Sequence, residues 1–94
     1  MIYVFFAQGF EEIEGLTVVD VLRRANLETQ MVGVGAKRIT GSHGITVECD
    51  LTTEEISLTQ ALQMVVLPGG LPGTTNLEQD ETVQRAIDYC TEHG

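Results

Sequence analysis

The sequence is short of basic residues: five Lys and Arg stand against 14 Asp and Glu, for a formal charge of −9. That balance argues against partnership with nucleic acid or an anionic membrane, because phosphate binding needs clustered Lys and Arg. Cysteine is scarce too. Cys49 and Cys90 form neither a metal-ligand spacing nor a disulfide framework, so a reduced, cytoplasmic setting is the default expectation. No apolar run approaches the roughly 20 residues that span a bilayer. The opening MIYVFFAQG has no basic n-region and soon turns polar, which reads as a first strand and not as a signal peptide. Repeats and low-complexity segments are absent, and no motif asks for a cofactor or a metal.

What is present fits an ordinary α/β composition: 94 residues, 43% hydrophobic, with 10 glycines. That length makes one small domain or a piece of a larger one. The chain is organised around Gln63-Met64-Val65-Val66-Leu67-Pro68-Gly69-Gly70-Leu71-Pro72-Gly73. Its apolar run is too short for a helix and suits a strand buried on both faces, as in parallel sheets. Pro68 cannot donate to a ladder, and paired glycines allow φ values that side chains forbid. The backbone should therefore turn sharply at the carboxyl end of a central strand, where open α/β sheets bind ligands. Bare N–H groups at Gly69 and Gly70 could face a small anion or oxyanion; equally, the turn could be a plain corner.

In chain order, Ile2 to Ala7 predicts a buried strand, and Glu11-Glu12 opens a helix running to about Ala25. First-turn acids suit the positive end of the helix dipole, as Arg23 and Arg24 suit the other end, with Asn26 as a C-cap. Ile13, Leu16, Val18, Val19, Val21, Leu22 and Ala25 outline a broad apolar stripe. Thr29 to Val34 is the next strand and completes a right-handed β-α-β unit. Lys37–Thr40 and Gly44–Cys49 look like a hairpin closed around Gly41-Ser42-His43-Gly44. Residues 52–60 are polar and could hold a helical turn. A last helix is expected over 81–92, capped by Asp80 and buried through Val83, Ala86, Ile87 and Cys90.

A strand at 63–67 that is apolar on both faces needs paired edges and cover on both sides. The expected place for it is beside residues 2–7, leaving its other edge open to a further strand. The 94 residues therefore read as the front half of a doubly wound fold, with too little core to work alone.

Glu14 is the acid of interest. It shares a helical row with Val18, Val21 and Ala25, which predicts a partly desolvated carboxyl able to donate a hydrogen bond. Dipole complementation by a first-turn acid would explain it as well. Glu12 heads the row of Leu16, Val19 and Arg23 and reads as a rim residue. Cys49 and Cys90 read as small core hydrophobes. His43 reads as a solvated turn residue, and no nucleophile–base pair is visible.

Three features coincide in order and spacing: Gly9-Phe10-Glu11-Glu12-Ile13-Glu14 after the first strand, Val19-Asp20-Val21-Leu22-Arg23-Arg24-Ala25, and Val65-Val66-Leu67-Pro68-Gly69-Gly70. Together they resemble the ThiJ/PfpI superfamily, in the branch of the parkinsonism-associated deglycase and its bacterial relatives. The resemblance implies a flavodoxin-like doubly wound parallel sheet, akin to class I glutamine amidotransferases and here represented by its N-terminal portion. It also implies a homodimer of the complete protein and a C-terminal half of the same protein as partner. The family's nucleophilic cysteine sits on a strand-to-helix elbow that by this spacing lies beyond residue 94; Cys90 is not its equivalent. Glu14 matches the family's protonated glutamate beside the thiolate. Gly69 and Gly70 match the glycines lining the oxyanion site. His43 falls roughly where relatives carry a basic residue reaching toward the partner subunit. The implied activity is hydrolysis of small reactive carbonyls or their adducts, as in glyoxalases and deglycases. Alternatives are a redox-sensing or chaperone-like stress protein using the same oxidisable cysteine, a role in thiazole monophosphate biosynthesis, or an intracellular peptidase.

Overall fold

The computed structural model describes residues 1–56, 62, 64–67 and 80–93. Among them the order is β1 (Ile2–Phe6), α1 (Glu12–Arg24), β2 (Thr29–Gly33), β3 (Arg38–Thr40), β4 (Thr46–Glu48), β5 (Leu51–Thr52), β6 (Met64–Val66) and α2 (Glu81–His93). Four strands make a sheet in the order β5-β2-β1-β6, with every neighbouring pair parallel. β3 and β4 form a separate antiparallel hairpin. The doubly wound parallel α/β architecture read from the sequence is the one observed.

β1 is apolar at every position because it is interior in both directions. Its strand neighbours are β2, from Ile2↔Thr29 to Phe6↔Gly33, and β6, from Ile2↔Met64 to Val4↔Val66. Its side chains alternate between two cores, as the two-residue period of a strand requires. Ile2, Val4 and Phe6 point to the side of α1 and the hairpin, with Phe10, Val19, Met31, Ile39 and Cys49. Tyr3, Phe5 and Ala7 point to the side of α2, with Val32, Leu62, Val83 and Ala86. Residues 63–67 were expected beside residues 2–7, and the described part of that run lies there. β6 ends the sheet among the described residues, with Met64 48% and Leu67 41% exposed.

The sheet gains a strand that the sequence did not announce. β5 adds to the outer edge of β2 through Val32↔Leu51 and Gly33↔Thr52. Two residues are too few to show a periodicity, and β5 is fixed instead by its flanks: Asp50 N–H donates to Met31 O and Thr53 N–H to Gly33 O. A turn follows it; residues 57–60, the rest of the polar stretch, lie outside the described residues.

α1 is capped at both ends. Glu11 accepts from Ile13 N at 2.9 Å. At the other end Asn26 N–H donates to Arg23 O and Leu27 N–H to Leu22 O, with Asn26 left-handed at φ 61°, a Schellman close. Asn26 thus sits one place past the cap position expected for it. The expected apolar stripe is half correct. Gly15 and Val19 are buried and Leu16, Val18 and Leu22 partly so, but Ile13 is 76% and Val21 56% exposed, and Ala25 is exposed. The aromatic pair beneath sets this rotation. Phe6 and Phe10 pack edge to face at 4.8 Å, and α1 comes down on them at Gly15. A Cβ there would stand 2.7 Å from Phe6 Cε2 and 3.2 Å from Phe10 Cδ2, so the one residue without a side chain must face the rings.

Candidate functional site

The strand order changes direction at β1: the chain passes to β2 on one side, and β6 returns on the other. In open α/β sheets the carboxyl ends of two such strands flank the ligand crevice. Here the end of β1 leads through Gln8-Gly9-Phe10 into the first turn of α1. The end of β6 leads through Leu67 toward Pro68-Gly69-Gly70. Gly69 and Gly70, expected to line an oxyanion site, lie outside the described residues.

Glu14 stands on the first turn of α1, on its exposed side. Its helical row predicts a place over apolar residues, and that of Glu12 a place on the rim; the rotation at Gly15 reverses their burial. Glu12 is 3% exposed. Its Oε2 accepts from His43 N at 2.8 Å and Ile45 N at 3.2 Å. Its Oε1 faces His43 Nδ1 at 3.0 Å and takes a long contact from Ser42 Oγ at 3.5 Å. Burial alone would push this carboxyl up. The hydrogen bonds from the His43 ring, from its own N–H and from the N–H groups of Ile45 and His43 outweigh that and bring it down to about 2. Glu12 is therefore an anion that closes the tip of the β3–β4 hairpin onto α1.

His43 is accordingly more than a solvated turn residue. Its ring is 68% exposed, yet it lies 3.0 Å from Glu12 and 3.8 Å from Glu11. The hydrogen bond to Glu12, followed by the fields of Glu12 and Glu11, raises the imidazole above 6.5 against the cost of desolvation. Gly41 is buried beneath this cluster, where a side chain would collide with the Glu12 carboxyl. Further contacts seat the hairpin: Ser42 N–H donates to Phe10 O, Gly9 N–H to Thr40 O, and Thr40 N–H to Gln8 Oε1. The only sequence signal for this arrangement was Gly-Ser-His-Gly at a hairpin tip, which says nothing about a partner thirty residues away.

Glu11, Glu12, Ile13, His43 and Ile45 line a cleft of about 340 Å³. Side-chain atoms of Glu11, Glu12 and His43 lie within 4.8 Å of one another, a cluster that closes on itself through hydrogen bonds. Both Glu12 oxygens receive hydrogen bonds from the hairpin. Neither described cysteine offers a reactive thiol in this region. Cys49 is buried in the α1-side core, and burial, with Asp50 beside it, pushes its thiol up to about 11. Cys90 packs at the edge of the α2-side core, as expected.

The sequence profile of the DJ-1/PfpI family matches residues 1–94, and the chain belongs to that family. It is 32% identical over 85 residues to the Parkinson disease protein 7 homolog of Danio rerio, covering 89% of this chain and 45% of that protein. It is 34% identical over 88 residues to the protein DJ-1 homolog A of Arabidopsis thaliana, covering 86% of this chain and 21% of that one. Among solved structures, a cysteine-to-alanine mutant of a DJ-1 superfamily protein from Salmonella typhimurium superposes with a TM-score of 0.89 at 29% identity, covering 99% of this chain and 50% of that one. Drosophila melanogaster DJ-1beta superposes at 0.86 with 27% identity, covering 93% of this chain and 47% of the other. The chain thus spans about half the length of these solved relatives, and less than half of the two curated proteins.

Proposed function

We propose that this chain is the N-terminal half of a cysteine-dependent enzyme acting on small reactive carbonyls or their adducts, a glyoxalase- or deglycase-like hydrolase. The supporting observation is positional. The first turn of α1, with Glu14 on it, follows the carboxyl end of β1, next to the β6 end that leads into Gly69-Gly70. In this reading a cysteine from the C-terminal half attacks the carbonyl carbon as a thiolate, and the carbonyl electron pair moves to oxygen. The N–H groups of Gly69 and Gly70 receive that oxyanion, and Glu14 exchanges a proton with it. The exposure of Glu14 in these 94 residues is compatible with a pocket whose remaining wall comes from the other half.

The same reading gives the exposed apolar groups their partners. Met64 and Leu67, at the end of the sheet, would be covered by the C-terminal half. Ile13, Val21 and Ile45, which is 51% exposed, would be covered by a second copy in a homodimer. The rival function, a redox-sensing or chaperone-like protein, uses the same pocket. Methylglyoxal turnover by the complete protein, before and after peroxide, separates the two. The enzyme reading expects turnover that peroxide abolishes; no turnover by the reduced protein would reject it.

A further inference from the structure

We propose that Glu12 and the hairpin tip form a pH-graded latch, with His43 as its titrating part, that positions the first turn of α1. The geometry is asymmetric. Glu12 is buried and belongs to the helix, whereas its partners, the N–H groups of His43 and Ile45 and the His43 ring, belong to residues 43–45 of the hairpin. One carboxylate therefore ties the first turn of α1 to a hairpin tip thirty residues away in chain, beyond the contacts that residues 8–10 make with Thr40 and Ser42. If the carboxylate moves away, two backbone donors at the tip lose their acceptor together.

Among the described residues, the charged groups within ion-pair reach of His43 are Glu12 from α1 and Glu11 from the residue preceding it. Ser42 Oγ, 3.2 Å from Nδ1, is the remaining polar side chain against the ring. Both acids favour the imidazolium. A His whose folded midpoint is raised stabilises the closed form fully below 6.5 and loses that contribution as pH rises through the folded midpoint. Glu12, with its midpoint lowered to about 2, contributes fully above 4.5 and fails only in strong acid. The latch is thus tightest between 4.5 and 6.5 and slackens on the alkaline side. It slackens without releasing, because a neutral imidazole can still donate from Nδ1. Glu14 lies on the same helical turn as Glu12, so the latch also sets where Glu14 stands. That consequence rests on the reaction proposed above; the latch itself does not.

The test is NMR on the complete protein. The signal missing from His43→Gln assigns the His43 ring. Its midpoint is expected above 6.5. Exchange protection of the His43 and Ile45 amides, corrected for intrinsic rates, should fall between about pH 6 and 8. The fall should be about tenfold for each unit by which the ring midpoint exceeds its ordinary value. In His43→Gln, which keeps a polar side chain that does not titrate, protection at Ile45 should lose this pH dependence. Glu11→Gln should lower the His43 midpoint and shrink the effect. A midpoint at or below 6.5, or protection that is flat with pH, overturns the latch.

Discussion

Gly41→Val is expected to undock the β3–β4 hairpin and to lower the stability of the complete protein by about 3 kcal/mol, the upper end of ordinary overpacking costs. Gly41 is not a glycine of conformation; among the described residues the glycines with positive φ are Gly9, Gly35 and Gly44. It is a glycine of space. A Cβ would collide with Cγ, Cδ and Oε2 of Glu12, and that carboxyl cannot step aside without leaving the N–H groups of His43 and Ile45. Gly44, three residues on, is the control. Its φ is +82°, but nothing lies within 4 Å of an added Cβ. Gly44→Ala should therefore cost only the left-handed penalty, about 1–2 kcal/mol. Chemical denaturation of both variants checks the order. Equal losses would mean that the Glu12 carboxyl adjusts freely.

Phe6→Ala should cost about 3–5 kcal/mol, since it removes a fully buried ring and leaves a cavity that its neighbours fill only in part. The ring stands at the end of β1, edge to face with Phe10 and under Gly15. Its loss removes the surface that fixes the rotation of α1, so the helix should reorient as well as destabilise. A rise in exchange at the Gly15 amide beyond that at Val32 would report the local effect. Uniform loosening across both cores would instead show that Phe6 contributes bulk alone.

Much of the fold was legible in the sequence because it rests on patterns that act within a few residues. Ile2–Ala7 reads as a two-faced strand since every side chain is apolar, and Met64–Leu67 for the same reason. The ends of α1 were readable from Glu11, Arg23, Arg24 and Asn26, and α2 from Asp80, whose carboxylate accepts from Val83 N at 3.0 Å. What was not legible depends on contacts between distant segments. β5 is a strand only because β2 offers it an edge. The expected burial of Glu12 and Glu14 was exchanged because counting apolar residues along α1 weighs Ile13 and Val21 as core. The decisive fact was that Phe6 and Phe10 admit only Gly15. A glycine inside an amphipathic helix, opposite two aromatics, was the available signal for that rotation.

The central claim, that Glu14 serves a cysteine thiolate contributed by the other half, is tested most directly by cysteine alkylation in the complete protein. The rate should be followed against pH for the native protein and for Glu14→Gln. A glutamine keeps a donor and the shape of the side chain, but its amide gives the sulfur a weaker hydrogen bond than a carboxylic acid does. The account predicts that the thiol's apparent pKa rises in Glu14→Gln while the melting temperature holds. A titration curve that superposes on that of the native protein would contradict it.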